Sequence, residues 1–132
     1  MLARFLFIGL VSASLFSASR LSAHHSLAAE FDSSKPIVLH GKVTKMSWMN
    51  PHVFFWVDVA NASGIVTNWT LECVAPNYLQ RLGWTKQTLK AGDTVTVRAY
   101  IAKDQANMAK TESVTLPDGR IILTGVTKEE SR

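Results

Sequence analysis

The chain has 132 residues, 47% of them apolar, a single cysteine and a formal charge of +4, which suits one well-closed core and is too short for two. One cysteine excludes an internal disulfide, so packing alone must hold the fold. Lysine and arginine are scattered singly between Lys35 and Arg132, not clustered as a nucleic-acid footprint requires, so nucleic acid is not an expected partner.

Residues 1–23 read as a secretory signal peptide: Met1-Leu-Ala-Arg4 gives a positive start, Phe5 to Phe16 is apolar, and Leu21-Ser-Ala23 ends on a small residue. The apolar run falls short of the roughly 20 residues that span a bilayer. Cleavage after Ala23 and a soluble, exported protein with no transmembrane segment are therefore expected. Arg4 and Arg20 go with the signal, so the 14 basic residues become 12 against 10 acidic ones, a formal +2.

Residues 24–36 have no clear period and end in turn formers, the mark of an extended N-terminal arm that Phe31 pins to the body. A β domain over 37–126 follows, and residues 127–132 form a charged, frayed tail. Ile37 to Trp48 reads as one long strand with Gly41 inside it, the sign of a bulge or sharp coil. Asn50-Pro51 turns a corner. Beyond it Val53, Phe55, Val57 and Val59 alternate with His52, Phe54, Trp56 and Asp58, the period of a strand with one core side and one side free to line a groove.

Asn61-Ala-Ser-Gly64 is a hairpin turn, and Ile65 to Cys73 supplies the third strand. The period then changes: Pro76 near the start, Leu79 and Leu82 three apart and Gly83 at the stop predict a short helix over 75–83. Lys90 to Asp93 turns into a strand over Thr94–Ile101, with Val95, Val97, Ala99 and Ile101 on one side. Lys103 to Lys110 reads as a loop, Thr111 to Leu116 as a strand, Pro117 to Arg120 as a turn and Ile121 to Thr124 as its partner strand. The sum is a mainly β chain, a small five- to six-stranded OB-like Greek-key barrel with one short helix between strands three and four. An open sandwich is the alternative.

Two constellations carry possible chemistry. In an OB barrel the face of strands two and three, with the loops beside it, binds ligands, and here that surface holds Trp48, Asn50, His52, Phe54 and Trp56, with Trp69 or Asn68 from strand three. Aromatic faces among amide and imidazole groups suit stacking on a small molecule, or a periplasmic protein partner. The second constellation is nitrogenous. A terminal His24 offers its α-amine and imidazole, His25 is beside it, and His52 is the natural third donor for a T-shaped copper(II) site. That site depends on cleavage after Ala23, and an arm that simply begins with two histidines is the plainer reading.

Catalysis has little support. The chain lacks G-x-S-x-G, H-E-x-x-H, Cys-x-x-Cys and a phosphate-cradling glycine loop, and His52, Asp58 and Glu72 make an acid–base set only if the fold brings them together. A non-enzymatic protein is expected. Cys73, at the end of an apolar run, reads as a buried, inert thiol.

The stretches Ala23-His-His-Ser-Leu-Ala-Ala-Glu-Phe-Asp32, Gly41-Lys-Val-Thr-Lys-Met-Ser-Trp-Met-Asn-Pro-His52, Thr67-Asn-Trp69 and Leu116-Pro-Asp-Gly-Arg120 resemble a family of small exported bacterial proteins of unknown function. The likeness covers most of the chain after the signal. It implies a periplasmic protein and carries no activity, substrate or catalytic residue with it.

Overall fold

Seventeen consecutive residues, Phe31–Ser47, form a single strand, β1, in the computed structural model, which describes residues 27–126. The expected signal peptide, His24, His25 and the 127–132 tail lie outside the described residues. A strand this long serves two neighbours: β1 pairs antiparallel with β2 (Phe54–Ala60) through its second half and with β4 (Thr94–Ala102) through most of its length. A register shift between Val43 and Lys45 coils it between them. Gly41 lies two residues before that shift, and a Cβ there would overlap the carbonyl oxygen of Asp58 on β2.

β3 (Val66–Glu72) pairs with β2, and β5 (Met108–Thr115) pairs with β4. The sheet closes where β5 runs parallel to β3, matching Thr70 with Met108, Leu71 with Ala109 and Glu72 with Lys110. The resulting order, β3-β2-β1-β4-β5 returning to β3, is the five-stranded Greek-key barrel of the OB type, with a short sixth strand, β6 (Ile121–Leu123), added to β5. A closed barrel, not an open sandwich, is the architecture.

Inside it pack Val43, Val53, Phe55, Val57, Leu71, Val95, Val97 and Val114, all buried. The helix α2 (Pro76–Arg81) between β3 and β4 adds Leu79, and Gly83, at φ +90°, ends it so that Trp84 and Leu89 follow into the same core. The Trp84 indole donates to the Leu123 carbonyl at 2.9 Å, tying this plug to β6. Cys73 is fully buried in that core, and burial pushes its thiol up to about 12. It is therefore protonated and unreactive at neutral pH.

A second, smaller cluster joins Phe31, Tyr100 and Val126, with Leu27, Val74, Ala102 and Met108 packed against it. Here the structure departs from the expected boundaries. β1 starts at Phe31, not Ile37, so the second half of the expected 24–36 arm is strand, preceded by a short turn of helix, α1 (Leu27–Glu30). The turn formers between Phe31 and Pro36 sit at a register irregularity against β4, and the Asp32 carboxylate accepts hydrogen bonds from the Ser34 amide and hydroxyl. Likewise β5 begins at Met108, shortening the expected 103–110 loop, because the parallel pairing with β3 recruits Met108, Ala109 and Lys110.

Candidate functional site

The alternation along β2 decides what faces outward. Val53, Phe55 and Val57 are buried, and Phe54, Trp56 and Asp58 lie on the other side of the sheet, each partly accessible. Phe54 and Trp56 stand as an aromatic pair with centroids 6.2 Å apart and planes at 30°, and neither belongs to either buried cluster. Lys45, cross-strand from Trp56, holds its ammonium 4.2 Å over the Trp56 ring. On the other flank, Asp58 faces Asn68 of β3, and the Asn68 amide donates to Asp58 Oδ1 at 2.7 Å and lies 3.5 Å from Thr44 Oγ1. The face continues past Asp58 into an open groove of 470 Å³ lined by His40, Gly41, Lys42, Ala60, Val66 and Thr94. In that groove His40 Nδ1 lies 2.9 Å from Thr96 Oγ1.

At the other end of this face the corner through Asn50-Pro51 brings His52 to the barrel's closing seam. Reciprocal backbone bonds hold it there: the Val53 amide donates to Val74 O and the Cys73 amide to Val53 O. Glu72 and Lys110, matched across the parallel pairing, are each only 4% exposed. Lys110 Nζ donates to Glu72 Oε1 at 2.7 Å and to the Cys73 carbonyl at 2.9 Å, and it lies 5.9 Å from the Phe31 ring. Two buried charges survive because they neutralise each other and their hydrogen bonds are met. His52 Nδ1 approaches the same Glu72 Oε1 at 2.7 Å. A carboxylate fixed by a lysine thus orients the imidazole, whose Nε2 has no partner among the described residues.

Beside the seam, a 430 Å³ cleft is lined by Ala29, Glu30, Phe31, Glu72, Ala102, Asp104, Gln105 and Met108. On the β4–β5 flank, Tyr100 donates from its hydroxyl to Glu112 Oε1 at 3.0 Å, and Arg98 Nε meets Glu112 Oε2 at 3.2 Å. Burial, reinforced by the Glu112 carboxylate, raises the Tyr100 phenol above its ordinary value.

The residues singled out from the sequence divide accordingly. Phe54 and Trp56 share the outer face, and His52 joins them through Glu72, the cross-strand partner of Phe54. Trp48 and Trp69 do not: both pack against the main core, Trp69 opposite Val57 on the inward side. Asn50 is exposed at the corner. The acid–base set considered for His52, Asp58 and Glu72 is half assembled, since Glu72 meets the imidazole while Asp58 binds Asn68. Lys110, which anchors Glu72, lies in a stretch read as loop. Among the described residues no group of three or more His, Cys, Asp or Glu is placed to hold a metal ion, and no helix is long and apolar enough to cross a membrane.

A family model described as a family of unknown function, DUF6152, matches residues 11–111. The chain belongs to that family. No curated protein matches this DUF6152 member. Among solved structures, the crystal structure of the mitochondrial single-stranded DNA-binding protein Rim1 from S. cerevisiae is similar to it, at 9% identity and a TM-score of 0.47, covering 65% of this chain and 94% of that one.

Proposed function

We propose that this protein is an exported, periplasmic, non-enzymatic binding module that holds a ligand on the outer face of β1, β2 and β3. One observation carries the reading: Phe54 and Trp56 form a stacked pair that contributes to neither core. Large rings left on a sheet's outer face are costly in water unless something covers them. The Asp58–Asn68 pair and Lys45 supply polar contacts around the rings, and mixed apolar and polar linings of this kind orient small ligands. Trp56→Ala is expected to abolish retention of material that co-purifies from periplasmic extract, identified by mass spectrometry. Retention equal to that of the unaltered protein would rule the face out.

A second reading, copper binding, is favoured by the geometry of His52. A histidine whose Nδ1 is held by a carboxylate presents Nε2 in the manner of metal-ligating imidazoles, and the Glu72 contact supplies that support. Leu27 packs on the Phe31 cluster beside the seam, and His24 is three residues from it, an interval that reaches at most about 10 Å. In this reading His24, through its amine and ring, His25 and His52 hold copper(II). Competitive titration should show tight copper(II) uptake by protein beginning at His24 and loss of most affinity when one extra residue precedes it. Equal affinity of the two forms removes the terminal amine from the site.

A further inference from the structure

We infer that the cleft beside the closing seam is a second binding site, apart from the aromatic face, and that it takes small aliphatic amines in their ammonium form. To its 430 Å³ the helix α1 contributes Ala29 and Glu30, the β4–β5 loop contributes Asp104 and Gln105, and Glu72 lies on β3. All three charged side chains lining it are carboxylates. Lys103, the one basic residue of that loop, donates from its ammonium to the Ala28 carbonyl and from its amide to Glu30 O. These bonds join the loop to α1, and the lysine does not line the space between them.

Glu72 carries the argument, because exposed acidic residues alone would be solvated surface. Its side chain is buried, and both of its partners, Lys110 Nζ and His52 Nδ1, sit on Oε1. Oε2 accepts no hydrogen bond from the described residues, and among them only Thr111 Oγ1 is an enclosed side-chain polar atom without a partner. Glu72 Oε2 therefore reaches open space, and the space its side chain lines is this cleft. A largely desolvated carboxylate oxygen with no donor is costly. A donor that brings positive charge satisfies it best.

The other lining residues select among cations. Lys110 balances Glu72, whereas Asp104 has no hydrogen bond or ion pair with a described residue, so its charge stands uncancelled beside the cleft and repels anions. A bare divalent ion is poorly served. Among the described residues no group of three or more His, Cys, Asp or Glu is placed to hold one, and the side chains of Ala29, Phe31, Ala102 and Met108 offer it no oxygen. An alkyl chain covers those four while its ammonium meets the carboxylates. Small-molecule sites run from about 300 to 1,000 Å³, so a cleft near the lower end suits a chain of a few carbons.

The test titrates the protein at low salt with n-hexylamine, hexan-1-ol and hexanoate, following the Met108 methyl resonance and the heat of binding. Hexylamine should shift that resonance, the alcohol of equal length should bind about tenfold more weakly, and hexanoate should leave it unmoved. Asp104→Asn, on an exposed loop, should weaken the amine about threefold, as for an accessible ion pair. Glu72→Gln should weaken it by about tenfold or more, the loss of a charged acceptor. Because Glu72→Gln also unbalances Lys110, Asp104→Asn decides the matter if that variant fails to fold. A Met108 methyl unmoved by hexylamine, or an affinity that Asp104→Asn leaves unchanged, overturns the inference. Equal affinity for hexylamine and hexan-1-ol overturns it too, since the cleft would then be merely apolar. Calcium chloride shifting the Met108 methyl as hexylamine does would point to an inorganic cation and overturn it likewise.

Discussion

Lys110→Ala is expected to cost the fold about 3–5 kcal/mol, because it strips the buried Glu72 carboxylate of its buried cation and leaves only the half-exposed His52 imidazole beside it. In a domain of this size such a loss lowers the thermal midpoint by about 15 °C or more. The pair is 4% exposed at both ends and lies in the short parallel ladder that closes the barrel, so the damage falls where β3 and β5 meet. The matched control is the double substitution Glu72→Leu with Lys110→Met. Removing both charges together replaces the pair with apolar side chains of similar reach, and its stability should lie within a kcal/mol or so of the unaltered protein or above it. His52→Ala, which removes a half-exposed partner and leaves the ion pair intact, should cost far less than Lys110→Ala. Chemical denaturation of the four proteins checks the order. Lys110→Ala melting within a few degrees of the unaltered protein would show that the seam does not depend on the pair.

Gly41→Ala is the second large effect. Its added methyl group meets the Asp58 carbonyl oxygen and lies 2.8 Å from Val57 Cγ1. The first obstacle is backbone and cannot rotate away, so β1 and β2 must part around the Lys42–Asp58 pairing. Overpacking of this kind costs about 1–3 kcal/mol and occasionally more, and with a backbone atom in the way the upper end is expected. Gly64 offers the comparison. It has φ +79° at the β2–β3 turn and nothing within 4 Å of an added Cβ, so Gly64→Ala should cost only about 1 kcal/mol of left-handed backbone strain. Equal losses at the two glycines, measured by thermal unfolding, would mean that strand approach at Gly41 is not what requires glycine there.

Local pattern accounts for the parts of the fold that are legible in the chain. The alternation through Val53, Phe55 and Val57 is unambiguous because one face of β2 is buried and the other is not. The helix shows itself through Pro76 and Gly83, which act within a few residues of their own positions. What is hidden depends on contacts far along the chain. Phe31 reads as the anchor of an arm and not as the start of β1, since turn formers follow it and its partner on β4, Ala102, lies far along the chain. Lys110 reads as the end of a loop, since nothing near it says that β5 will run parallel to β3 and set it against Glu72.

The candidate site follows the same division. Phe54 and Trp56 are outward by period alone, and the structure agrees. Trp69 is indistinguishable from them by residue type, yet its register against Val57 turns it inward. The Asn68–Asp58 bond needs the same register to be known. A signal for it was present, since the Asn61 to Gly64 turn sets the β2–β3 hairpin and through it the residues that face each other.

The proposed binding face requires that Phe54 and Trp56 stand outside the packed interior and contribute little to folding. Thermal unfolding of the double variant Phe54→Ala with Trp56→Ala, beside Phe55→Ala from the same strand, tests this most directly. The double variant should lose only about 1 kcal/mol, as for partly accessible side chains, while Phe55→Ala, which empties a fully buried site, should lose about 3–5 kcal/mol. A double variant that melts as early as Phe55→Ala would place the two rings in the core and contradict the account.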